Sequence, residues 1–133
     1  LGDVYKRQIK PLGLTPPQAG LLRLLARRPD CSQRELATLL SVAPSRVVSY
    51  LDDLERRGVV VRRQSSDRRV NLVNLTAEGT HLMGRLRTAA KEHDASVTSA
   101  LTAEQVADLR AQLSVIADYL GLESGVHPGY RDR

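Results

Sequence analysis

Two helix signatures a few residues apart, followed at once by two β-rich runs, constrain this chain more than anything else in it. Ser32-Gln33-Arg34-Glu35 has the form of a capping box: the serine oxygen accepts the N–H three residues on, and the glutamate reaches back to the serine N–H. Leu36, Ala37, Leu39 and Leu40 supply the apolar face of the helix that starts there, which should stop around Ser41-Val42. Pro44 suits the first turn of a second helix whose apolar stripe is Val47, Val48, Leu51 and Leu54 and whose stop is Gly58. Val59 to Arg63 and Val70 to Leu75 then read as the strands of a hairpin, with a polar turn at Gln64-Ser65-Ser66-Asp67.

The rest of the chain reads as helix. Thr15-Pro16-Pro17-Gln18 is a second capping box with proline in the first turn, followed by Leu21, Leu22, Leu24 and Leu25 and closed by Pro29. After the hairpin, Thr76 caps a long helix with Leu82, Leu86, Ala90, His93, Val97 and Leu101 three or four apart. Thr102-Ala103-Glu104-Gln105 caps a last helix carrying Val106, Leu109, Leu113, Ile116 and Leu120. So narrow a seam suits helix packing across a subunit interface, although a hairpin with the preceding helix gives the same pattern. The predicted class is mainly α with a small β-hairpin wing: a winged helix-turn-helix plus terminal helices that suit either dimerisation or an intrachain hairpin. Its divisions are 14–79 for the reader, 80–120 for the helical dimerisation region and 121–133 for a flexible Gly, Ser and charge-rich tail. Residues 1–13 read as a truncated or non-native N-terminal segment, because Pro11 and Gly13 break it and its first eight residues resemble translated adaptor sequence.

At 133 residues one domain is expected, and with no Trp or Phe its core must be aliphatic. The formal charge of +5 favours a polyanionic partner, though it also serves solubility. A single cysteine excludes an intramolecular disulfide framework, and no apolar run suits a membrane span or signal peptide; the expected compartment is a reducing cytoplasm. His81, His93 and His127 lack metal-binding spacing, and Glu78-x-x-His81 has no second ligand set to complete a site. No cofactor, metal or catalytic constellation is indicated. Cys31 lacks a nearby partner in sequence and reads as a small, partly buried residue or as a thiol with its pKa lowered by the adjacent helix start.

Asp67, Arg69, Leu75, Thr76 and Gly79 match the pattern D-x-R-x5-L-T-x-x-G, and Leu54-Glu55-Arg56-Arg57-Gly58-Val59-Val60 stands where an L-E-x-x-G-hydrophobic run is found. Together these resemble the multiple antibiotic resistance regulator (MarR) family over roughly Leu14 to Leu120. The resemblance implies a repressor that dimerises through its terminal helices and responds to a small, commonly phenolic or anionic, effector, here of unknown identity. Its pocket is expected between the reader and the terminal helices. The implied partners are double-stranded DNA and a second copy of the chain, with Leu86, Val97, Leu101, Val106, Leu109, Leu113, Ile116 and Leu120 in the dimer contact and no membrane. A rival is a winged-helix protein-interaction module without DNA binding, because Ser49 and Asp53 stand where many members carry basic residues and the N-terminal segment reads as defective.

The candidate major-groove residues are Pro44, Ser45, Arg46, Ser49 and Tyr50, which lie off the apolar stripe; Arg46 is the one able to bridge guanine O6 and N7. Tyr50 has packing against the wing as its alternative. Ser32, Gln33 and Arg34 stand at a helix start suited to a phosphate. Arg62, Arg63 and Arg68 are candidate phosphate contacts, and Arg69 the candidate for the minor groove. Asp67 either caps the turn or pairs with the Arg69 guanidinium; as a bare Asx-turn it would leave both tip arginines solvated.

Overall fold

The computed structural model describes residues 6–7 and 9–122; residues 1–5, Gln8 and 123–133, and with them His127 and most of the expected tail, lie outside it. After a turn of 3-10 helix at Lys10–Leu12, the elements run α1 (Pro16–Arg27), β1 (Cys31–Ser32), α2 (Gln33–Leu40), α3 (Pro44–Arg56), β2 (Val60–Gln64), β3 (Asn71–Leu75), α4 (Ala77–Val97) and α5 (Ala103–Tyr119).

Helix boundaries follow the local capping chemistry. The Glu35 N–H donates to Ser32 Oγ at 3.2 Å and the Ser32 N–H to the Glu35 carboxylate at 2.7 Å. Thr102 and Gln105 repeat the exchange at the start of α5, at 3.2 and 2.9 Å. The end of α3 is a Schellman motif: Gly58, at φ +71°, donates to Glu55 O, and Val59 donates to Leu54 O. Both Val59 and Leu54 are buried, which supplies the hydrophobic contact that accompanies such an ending.

Leu21, Leu22, Leu24 and Leu25 of α1 meet Leu36 and Leu40 of α2, Val47, Leu51 and Leu54 of α3, Val60 and Val73 of the sheet, and Leu82, Met83 and Leu86 of α4. Ile9 and Leu14 are also buried here, and Arg57 donates to the carbonyls of Gly13 and Leu12 at 2.8 and 3.0 Å. Residues 9–13, read as a broken segment, are thus integral to the packing of the reader.

Three features differ from the sequence reading. The wing has a third strand: the sheet order is β1-β3-β2, all antiparallel, with Cys31 opposite Val73 and Ser32 opposite Leu72. Asp30, at φ +57°, turns the chain into β1; its N–H donates to Asn74 Oδ1, and Asn74 Nδ2 returns a bond to Asp30 Oδ1, both at 2.8 Å. Second, α4 ends at Val97, so Leu101 sits in the turn before α5 rather than on the long helix. The Thr98 and Ser99 hydroxyls bond the carbonyls of Asp94 and Ser96 there, as Ser and Thr do when they compete with a helix ladder. Third, Leu86 is 0% exposed and belongs to the core of its own protomer, so it is not available to a dimer contact.

α5 has no buried residue, which leaves open solvent on the seam that an intrachain hairpin would have covered. The contrast with α4 is instructive: its first half is anchored in the core, while Val97 near its end is 51% exposed.

The wing joins α4 at a very close approach. The Thr76 N–H donates to Val59 O at 3.1 Å, its hydroxyl to Gly58 O at 2.6 Å, and the Gly79 N–H donates back to Thr76 Oγ1 at 3.0 Å. A Cβ on Gly79 would stand 2.1 Å from Val59 O. Helix propensity alone favours alanine there by up to about 1 kcal/mol, whereas forcing backbone apart in a packed site costs about 1–3 kcal/mol. Gly79→Ala should therefore lower the thermal midpoint by several degrees in a melt followed by circular dichroism. A raised midpoint would mean the junction is slack.

Candidate nucleic-acid interface

α3 is amphipathic because its polar residues precede and flank the stripe that docks it. Val47, Leu51 and Leu54 are buried, whereas Pro44, Ser45, Arg46 and Ser49 are exposed on its first two turns. Tyr50 is half-buried against the core, so it packs inward as well as bordering this face. Val48, expected on the apolar stripe, is instead 38% exposed.

Three separate stretches of sequence converge in front of α3. A groove of about 560 Å³ is lined by Ser32, Gln33 and Arg34 from the start of α2, Pro44 and Val48 from α3, and Arg69, Val70 and Asn71 from the wing. Five of the candidate DNA-binding residues thus share one concave surface with a helix N-terminus at its edge, an arrangement suited to phosphate. Arg46 stands on the neighbouring exposed turn, and Arg63 and Arg68 are exposed on the wing.

Asp67 acts on the wing backbone. Its Oδ1 accepts the Arg69 N–H at 3.1 Å, its carbonyl accepts the Val70 N–H at 2.9 Å and the Ser65 hydroxyl at 2.7 Å, and the Ser65 N–H donates to Val70 O at 2.9 Å. Of the two roles open in the sequence, the carboxylate takes turn capping. Arg69 is aimed by the backbone it hangs from, and it lines the groove.

Arg62 stands differently from the phosphate contact expected. Its side chain is 22% exposed, with the guanidinium bonded to Asp52 and Glu55 of α3. These bonds hold the Glu55 carboxyl below its ordinary pKa, against a partial rise from burial. Asp53 accepts from Gln18 Nε2 at 2.8 Å. Gln18 is buried and its Oε1 simultaneously caps Thr15, so Asp53 ties α1 to the recognition helix. Neither partnership was legible: Gln18 and Asp53 lie 35 positions apart, and Arg62 meets Glu55 and Asp52, 7 and 10 positions back, only once β2 has folded against α3.

Cys31 is buried beside Glu35, and both burial and that carboxylate push its thiol pKa up rather than down. The helix-start effect anticipated for it does not prevail. Among the described residues no helix is long and apolar enough to cross a membrane.

This geometry has counterparts in known proteins. A model of the MarR family matches residues 12–70. The HTH-type transcriptional repressor Rv2887 of Mycobacterium tuberculosis is 38% identical over 106 residues, spanning 79% of this chain and 76% of that protein. The crystal structure of Rv2887 in complex with DNA matches with a TM-score of 0.79 at 33% identity, covering 87% of each chain. The repressor CouR bound to a 23-mer DNA duplex matches with a TM-score of 0.76 at 34% identity over 87% of this chain and 83% of that one. Rv2887 has also been crystallised with p-aminosalicylic acid, with a TM-score of 0.74 at 34% identity over 87% of this chain and 88% of that one. With its helix-turn-helix, its arginine-bearing wing and this degree of likeness, the chain belongs to the MarR family of winged helix-turn-helix transcriptional regulators.

Proposed function

We propose that the protein is a homodimeric cytoplasmic repressor that reads a pseudo-palindromic operator, one reader per half-site. The first two turns of α3 enter the major groove, with Arg46 as the base-reading arginine; Arg69 enters the adjacent minor groove. Ser32, Gln33, Arg34, Arg63 and Arg68 hold the phosphates between them. The observation that carries this reading is the shared groove, in which α2, α3 and the wing bring Ser32, Gln33, Arg34, Arg69 and Asn71 together beside Pro44, Val48 and Val70.

The dimer would form on the uncovered helices. Leu109, Leu113, Ile116 and Leu120 are 39%, 54%, 52% and 54% exposed, and Val97 and Leu101 continue the apolar surface, with Val106 half-buried beside it. Val115 and Tyr119, at 69% and 88% exposed, widen it beyond the stripe read from the sequence. Apolar surface on this scale calls for a partner. The complex of Rv2887 with p-aminosalicylic acid supports a small aromatic acid as the effector class. Such a ligand, seated between reader and terminal helices, would act by changing the separation of the two readers.

Salt dependence on random duplex DNA tests the DNA-binding role. If each subunit neutralises several phosphates, log K falls linearly with log salt at roughly −0.9 per phosphate. A slope worth only one or two contacts would favour a protein-interaction module.

Charge placed in the seam separates dimerisation from folding. Leu113→Glu should sediment as a folded monomer and lose tight operator binding, because the two half-sites no longer share one binding event. A variant that remains dimeric would move the interface off α5.

A further inference from the structure

We infer that Arg62 is a positioning residue for DNA reading: by bridging β2 to Asp52 and Glu55 of α3 and to Gln33 of α2, it sets the angle between recognition helix and wing. The inference rests on the DNA-reading role proposed above.

An arginine fork has five donors in a fixed plane, and here all three nitrogens are engaged by neighbouring side chains. Nε donates to Glu55 Oε2 at 3.0 Å, Nη2 to the same oxygen and to Asp52 Oδ1 at 2.7 Å, and Nη1 to Gln33 Oε1 at 3.5 Å. The Arg62 backbone N–H adds a bond to Glu55 Oε1 at 3.2 Å, so that carboxylate grips both the strand and its side chain. Thus one guanidinium joins the three elements that line the groove. Two carboxylates face it, so the cluster as a whole carries negative charge and offers nothing to a phosphate. Half-exposed ion pairs contribute little to stability. What a planar, several-point contact adds is a fixed orientation, which matters where α3 and Arg69 must enter neighbouring grooves together.

Glu55→Gln gives the test a sign. Removing a negative charge from a DNA-facing surface should, by electrostatics alone, tighten binding to every duplex. A positioning role requires the opposite on a duplex selected from random sequence by the unmodified protein. The ratio of selected to random affinity should fall by about tenfold, while the slope of log K against log salt is unchanged. Arg62→Lys, which keeps the charge but lacks the fork, should show the same loss with the same slope. The double variant Arg62→Gln/Glu55→Gln should discriminate no worse than Arg62→Gln. Melts of each variant report folding separately. Undiminished discrimination by Glu55→Gln would overturn the inference. So would a slope for Arg62→Gln shallower by about 0.9 per subunit, the mark of a lost phosphate contact. If the unmodified protein selects no sequence at all, the DNA-reading role itself falls.

Discussion

One backbone carbonyl, that of Val59, is where the recognition helix, the wing and the long terminal helix meet. The Schellman ending at Gly58 delivers it from α3, Thr76 at the far end of the hairpin binds it through both N–H and hydroxyl, and α4 starts hard against it at Gly79. Two of the residues in the family motif, Thr76 and Gly79, are explained by this one contact: a threonine short enough to cap and bond back at once, and a residue with no side chain to hold the helix away. The long helix is thereby set in a fixed relation to the reader. Any movement of α4 would be carried to the wing through a junction with little slack.

Charge on the reading face is organised with the same economy. The chain is basic, yet Asp52, Asp53 and Glu55 all lie on α3. They serve inward bonds: two to Arg62, one to Gln18. Arginines left on the groove or the exposed wing, Arg34, Arg63, Arg68 and Arg69, keep the outward role. Position relative to these carboxylates, rather than residue type, separates the arginine bonded within the protein from those exposed on the groove and wing.

Most of the fold was legible because its signals are local. Capping boxes at Thr15, Ser32 and Thr102, the Pro44 start and the Gly58 stop each act within four residues, and all appear in the structure. The third strand was hidden because two residues, Cys31 and Ser32, carry no alternation; what creates it is the Asp30–Asn74 exchange across 44 positions. Leu86 was misplaced for a different reason. A helical period says which residues share a face, but not whether the face meets its own chain or another. The candidate interface was read through its exposed side chains, and the bonds behind them, Gln18 to Asp53 and Arg62 to Glu55, depend on folding already achieved.

In the function proposed, two copies of one braced reader act on DNA together. Selection of binding sites from a pool of random duplexes by the full chain puts this most directly to the test. The expected product is an inverted repeat with half-site centres roughly 10 base pairs, or about one helical turn, apart, and A·T-rich flanks where Arg69 would enter a narrow minor groove. Enrichment of a single unrepeated half-site would contradict the paired reader, and no enrichment over the starting pool would contradict sequence reading altogether.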